Sequence, residues 1–172
     1  FGTYNEDPDK AKRKPIANLY RLAPNLSLTQ LLSNITVSNG IAFSENENIM
    51  YFADTPTGRI QKFEYTKDFN KFYELEANMI FKNVGEPDGA TVDIDNNYWS
   101  ARVRGKCIIC VDTKDETIIE KISLPTNTPT CVTFGGANLN TLYITSLRAD
   151  PTSDNEGGNL HKIETSTQGL SL

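Results

Sequence analysis

Short apolar runs alternate along the chain with clusters of polar turn residues, and a helical period is hard to find. Asn18-Leu19-Tyr20-Arg21-Leu22 reads as a strand closed by Pro24-Asn25. Ile41-Ala42-Phe43 and Ile49-Met50-Tyr51-Phe52-Ala53 flank a polar turn running from Ser44 to Asn48. From Arg59 to Tyr65 polar and apolar positions alternate, which predicts a half-buried strand. The same strand–turn–strand layout returns at Thr91-Val92-Asp93-Ile94, Asp95-Asn96-Asn97 and Tyr98-Trp99-Ser100. It returns once more at Cys131-Val132-Thr133-Phe134, Gly135-Gly136-Ala137-Asn138 and Leu142-Tyr143-Ile144-Thr145.

These units are internal repeats. The aromatic after each turn falls at Tyr51, Trp99 and Tyr143, spacings of 48 and 44. A glycine ahead of an outgoing strand falls at Gly58, Gly105 and Gly158, spacings of 47 and 53. Asn18, ahead of Leu19-Tyr20, marks a possible earlier copy. A four-stranded unit recurring about every 40–50 residues is the sequence signature of a β-propeller blade. A β-sandwich with regular turns is the alternative, but it does not explain the fixed order of turn, aromatic and glycine.

At this period 172 residues hold three to four blades, whereas closed propellers have roughly four to eight. An open stack would expose sheet edges. The expectation is therefore that the native protein continues before Phe1, which the absence of an initial Met favours, or that copies associate. Charge narrows the partners. With 17 Lys+Arg, 22 Asp+Glu and a net charge of −5, neither nucleic acid nor an anionic membrane is expected as main partner. The longest apolar runs, such as Ile108-Ile109-Cys110-Val111, are too short to span a bilayer. Three cysteines are too few for a disulfide scaffold, and the first residues lack a secretory pattern, so the expected location is cytoplasmic.

Two turns carry candidate chemistry. Asn39 in Ser38-Asn39-Gly40 and Asp88 in Pro87-Asp88-Gly89 occupy equivalent places in successive repeats. In a propeller such positions converge on the central channel, where an amide oxygen and a carboxylate suit a hard divalent cation. Asn-Gly and Asp-Gly are also ordinary turn formers, and local sequence alone favours that reading. Other candidates rank lower. Cys107 and Cys110 have CxxC spacing, but on a strand they point to opposite faces, against a zinc or redox site. Cys131 is expected to fill core. His161, the sole histidine, is expected on the surface, opposite Leu160. Lys10, Lys12, Arg13 and Lys14 form a basic run expected to be a solvated loop before Pro15.

Asn39-Gly40-Ile41-Ala42-Phe43-Ser44, Tyr51-Phe52-Ala53-Asp54-Thr55, Pro87-Asp88-Gly89-Ala90-Thr91-Val92-Asp93 and Phe134-Gly135-Gly136 resemble the SMP-30/gluconolactonase/regucalcin family. The match continues through Leu142-Tyr143-Ile144-Thr145-Ser146 and Gly157-Gly158-Asn159-Leu160, in family order. The resemblance implies an all-β fold, a six-bladed propeller of roughly 300 residues. Residues 1–172 would then form a single region of it lacking the first blades. It implies a divalent cation (Ca²⁺, Zn²⁺ or Mn²⁺) held by a first-blade Glu, with no counterpart here, and by Asn39 and Asp88. An acidic residue after the Phe1-Gly2-Thr3-Tyr4 strand would bind sugar hydroxyls, with Asp7 the best match and Glu6 its neighbour. The implied activity is metal-dependent hydrolysis of a small-molecule sugar lactone, with Asp88 also taking a proton from the attacking water. The alternatives are a regucalcin-like calcium-binding protein and an inactive propeller fragment. Asn96-Asn97 replaces the glycine-containing turn usual in the family, a departure that touches blade geometry only.

Overall fold

A computed structural model describes residues 1–5, 7, 9–44, 48–148 and 152–171, which form four antiparallel sheets. The sheets are successive blades of a β-propeller. The first pairs β1 (Ala17–Leu22) with β2 (Leu28–Ile35), and a bridge from Gly2 to Leu19 adds the N-terminal segment. The second runs β3 (Ser38–Phe43), β4 (Ile49–Asp54), β5 (Arg59–Tyr65) and β6 (Phe72–Ile80). The third runs β7 (Glu86–Val92), β8 (Tyr98–Val103), β9 (Cys107–Asp112) and β10 (Thr117–Ser123). The fourth has β11 (Pro129–Gly135), β12 (Thr141–Ser146) and β13 (Leu160–Glu164). Across sheets, β3 packs beside β7 and β7 beside β11, so the first strand of each of these blades lies innermost.

The blades are held together by apolar faces pressed against one another. Ile60, Tyr51 and Met79 of the second blade meet Tyr98, Cys107, Ile109 and Val111 of the third. The other face of the third blade, Trp99, Ile108 and Cys110, meets Val132, Leu142 and Ile144 of the fourth. Strand β9 is therefore covered on both sides, which is why it reads as one continuous apolar run. It also separates Cys107 from Cys110 onto opposite faces, both buried and both free thiols, as the spacing predicts. Burial of each cluster removes apolar surface at about 25 cal/mol per Å².

The repeat landmarks fall where the pattern puts them. Ala42 pairs with Tyr51, Thr91 with Trp99 and Thr133 with Tyr143, one register in three blades. Gly58, Gly105 and Gly158 each precede an outgoing strand, β5, β9 and β13. Asn96 takes the left-handed turn position at φ 65°, which Asn tolerates, and Asp93 clamps that turn. The Asp93 carboxylate accepts from the Asp95 and Asn97 backbone N–H groups and from Trp99 Nε1 at 2.8 Å.

Two expectations are corrected. Cys131 is exposed rather than core, because it sits at the axial end of an innermost strand instead of between blades. On β13 the alternation is inverted: Leu160 is 66% exposed, whereas His161 is half-buried and its Nε2 finds no partner among the described residues. Among the described residues this strand is the outer edge of a three-stranded sheet, with one face half-covered and the face that carries Leu160 exposed. Among the described residues no helix is long and apolar enough to cross a membrane.

Candidate functional site

The common register locates the site. Three residues before Ala42, Thr91 and Thr133 stand Asn39, Asp88 and Thr130, so these are equivalent positions on three adjacent innermost strands. The predicted equivalence of Asn39 and Asp88 is therefore present in the fold. Thr130 is the member that the sequence reading misses, since Cys131 stands where the other two repeats have glycine. In each blade the ladder slips at this point: between Asn39 and Ala42, Pro87 and Ala90, and Pro129 and Cys131. A bulge re-aims the side chain at the end of the strand, a common device at sites.

Local packing fixes each bulge. Gly40 has φ 62°, and its carbonyl accepts a 2.8 Å hydrogen bond from the buried Tyr98 hydroxyl of the next blade. Gly89 is needed for space: a Cβ there would come within 2.6 Å of Cys131 Sγ. The Asn39 amide donates through Nδ2 to Thr55 Oγ1 at 2.8 Å, and Thr55 in turn donates to the Pro87 carbonyl at 2.9 Å. This turns Asn39 Oδ1, the acceptor end, away from Thr55. It also ties Asn39 to the residue immediately before Asp88. From the other side the buried Arg102 donates through Nη2 to the carbonyls of Phe81 and Gly85, at 2.8 and 2.6 Å, holding the approach to β7. Burial lowers the Arg102 guanidinium to about 10.

Asp88 is half-buried, and burial raises its carboxyl to about 6, against the opposing pull of the Gly89 backbone N–H. Among the described residues it makes no ion pair. A partly desolvated carboxylate with no cation beside it gains from a bound positive charge. The donors at this end are hard oxygens: the Asn39 amide, the Asp88 carboxylate and the Thr130 hydroxyl, which shares a 2.9 Å hydrogen bond with Thr145. They fit an oxygen-seeking divalent ion better than a thiophilic one. Among the described residues no group of three or more His, Cys, Asp or Glu side chains gathers, so these oxygens lie on neighbouring strands without making up a full set of metal ligands. Although the residue as a whole is exposed, the Cys131 sulfur lies against Gly89, and partial desolvation there, with a smaller contribution from the Asp88 charge, holds the thiol above its ordinary range.

Asp7 is half-buried in the N-terminal loop, and among the described residues no hydrogen bond joins it to Asn39 or Asp88. Its Oδ1 accepts from Asp9 N at 2.9 Å, and its carbonyl accepts from Arg13 Nε at 2.9 Å. Arg13 lines the same cavity as Thr55, which brings this loop to the Asn39 end of the strands. Glu6, the other predicted sugar-binding residue, lies outside the described residues.

Comparison with known proteins agrees with this architecture. Residues 1–148 match the family described as SMP-30/Gluconolactonase/LRE-like region. The chain is similar to the 6-deoxy-6-sulfogluconolactonase of Pseudomonas putida, 34% identical over 72% of this chain and 43% of that protein. It is similar to the pentonolactonase XacC of Haloferax volcanii, 30% identical over 77% of this chain and 45% of that protein. Among solved structures, a luciferin-regenerating enzyme superposes with TM-score 0.85 at 26% identity, covering 99% of this chain and 59% of that one. The chain spans about half the length of the curated relatives it matches.

Proposed function

The chain belongs to the SMP-30/gluconolactonase/LRE-like family, and from that premise we propose that it serves the hydrolysis of a sugar lactone assisted by a divalent cation. The proposal treats residues 1–172 as one lactonase-like propeller region, with Asn39 and Asp88 as ligands and Asp7 and Glu6 as sugar-binding residues. Two relatives named as lactonases of sugar acids support the substrate class. The observation that carries the site is the half-buried Asp88 carboxyl, raised to about 6, on the innermost strand beside the Thr55-tethered Asn39.

A bound cation would polarise the lactone carbonyl and offset the charge that develops on its oxygen, worth several kcal/mol in such sites. The protein's own part is to hold donors and move a proton. Asn39 presents an amide oxygen fixed by the Thr55 hydrogen bond, so little reorganisation is needed. In the metal-free protein burial raises the Asp88 carboxyl to about 6. A cation bound beside it would lower that basicity again, so its proposed part in taking a proton from the attacking water rests on its position on the innermost strand. Asp7 Oδ1 accepts from Asp9 N, and its second carboxylate oxygen would serve as the acceptor for sugar hydroxyls.

The test is hydrolysis of D-glucono-1,5-lactone by pH-stat, with spontaneous hydrolysis subtracted. Chelator comes first, then Ca²⁺, Mn²⁺ or Zn²⁺. Metal-dependent turnover that disappears in Asp88→Ala supports the reading. Metal binding without turnover of any sugar lactone would move it to a calcium-binding role.

A further inference from the structure

The basic run from Lys10 to Lys14 is largely solvated, as expected, with Lys10, Lys12 and Lys14 exposed and Arg13 half-buried. Lys10 and Arg13 line a cavity of about 390 Å³ together with Val37, Thr55, Glu86 and Arg104. Thr55 also forms one side of the Asn39 tether, so the cavity opens beside the proposed metal-binding end of the strands. Its charges do not cancel. Arg104 pairs with Glu86, and Lys12 pairs outside the cavity with Asp9 at 3.3 Å. Among the described residues no carboxylate forms an ion pair with Lys10 or Arg13. Arg13 is nevertheless oriented: its Nε is held by the Asp7 carbonyl at 2.9 Å, which leaves the Nη pair of the fork to meet a ligand. In a chain of net charge −5, two cations that form no ion pair among the described residues lie in one cavity, a local reversal of the overall charge.

We infer that this cavity receives the anionic substituent of the substrate, so that the preferred lactone carries a phosphate, sulfonate or carboxylate remote from its carbonyl. The inference rests on the lactonase reading for the carbonyl end of the substrate and adds the chemistry of the other end. Arg13 binds the anion through its planar fork, Lys10 adds a second charge at the mouth, and Asp7, held by Arg13, orients the ring hydroxyls in between. A neutral sugar lactone leaves both cations without a partner.

The experiment is calorimetric titration with ligands that cannot hydrolyse: 1,5-anhydroglucitol, its 6-phosphate, its 6-deoxy-6-sulfonate, and inorganic phosphate alone. The expected result is that at least one charged sugar binds tenfold or more tightly than anhydroglucitol. Arg13→Gln removes that difference, and Arg13→Lys, which keeps the charge, retains most of it. The preference also shrinks with added salt, as a charge contact requires. Equal affinities, a preference that survives Arg13→Gln, or inorganic phosphate binding as tightly as the sugar phosphate would each overturn the inference. Turnover separates it from the lactonase reading. If that reading alone fails, the Arg13-dependent preference persists while neither gluconolactone nor its 6-phosphate is hydrolysed.

Discussion

Asn39 Nδ2 and Thr55 Oγ1 lie 2.8 Å apart, and the same hydroxyl donates to the carbonyl of Pro87. One threonine thus couples the ends of two innermost strands, each carrying a proposed metal ligand. Thr55→Val removes both hydrogen bonds while preserving shape. It should lower divalent-cation affinity by about 10- to 100-fold, the usual cost of losing an outer partner of a ligand. Calorimetric titration with Ca²⁺ or Mn²⁺ reads this directly, and unchanged affinity in a folded variant would reduce the tether to a purely structural contact.

Asp88→Asn keeps the size of the side chain and removes its negative charge and basicity. The fold should persist by circular dichroism, because Asp88 makes no ion pair among the described residues. Metal-dependent lactone hydrolysis should fall by at least about 100-fold, combining a weakened ligand with a lost proton acceptor. Full activity in this variant would place the base elsewhere.

Acid should act in opposite senses on the metal-free and metal-loaded protein. Burial raises Asp88 to about 6 when folded, against about 3.9 in an unfolded chain. Between those values the folded state binds the extra proton, so this carboxyl favours folding at low pH, and its contribution is lost as pH rises through about 6. The difference in Tm between the parent protein and Asp88→Asn, both metal-free, should therefore shift toward the variant from about pH 4 to pH 7. Cation affinity should rise over the same window, because proton and metal compete for one carboxylate. A pH-independent difference in Tm would place the Asp88 carboxyl in ordinary solvent.

Gly40 combines a left-handed backbone with contact to the Tyr98 hydroxyl, so Gly40→Ala meets both strain and collision. The expected loss is about 2–4 kcal/mol in urea denaturation, from the left-handed penalty and the overpacking together. Tyr98→Phe leaves the Gly40 carbonyl unpaired and should cost about 1–2 kcal/mol. A smaller effect of Gly40→Ala than of Tyr98→Phe would show that the bulge relaxes easily.

The architecture was legible because propeller blades repeat and their inner strands are sandwiched. Tyr51, Trp99 and Tyr143 mark the same pairing position in three sheets, and the apolar run of β9 matches burial on both faces. Strands β6 and β10 left weaker traces, since their residues are mostly exposed and their covered positions are mostly only half-buried. The site was half legible. A following glycine marked Asn39 and Asp88 as equivalents and the family resemblance gave them their expected role, whereas Thr130 had Cys131 behind it and Thr55 sat in a Thr-Pro-Thr-Gly turn that looks like any other. Their places beside Asn39 and Asp88 come from register and from a hydrogen bond spanning 32 residues, neither of which local sequence encodes. Cys131 and His161 were misplaced because alternation alone does not tell an axial end or an outer edge from a covered position.

The shared register of Asn39, Asp88 and Thr130 has a consequence for engineering. Three blades each set one side chain at the same register, so under the proposed reading the charge at that end is fixed by which residue each repeat holds there. Exchanging Thr130-Cys131 for Asp-Gly copies the third blade's own solution into the fourth and adds a second carboxylate to the ring. Under the proposed reading that exchange removes a thiol and adds a hard oxygen, and so moves the donor set further toward hard divalent ions.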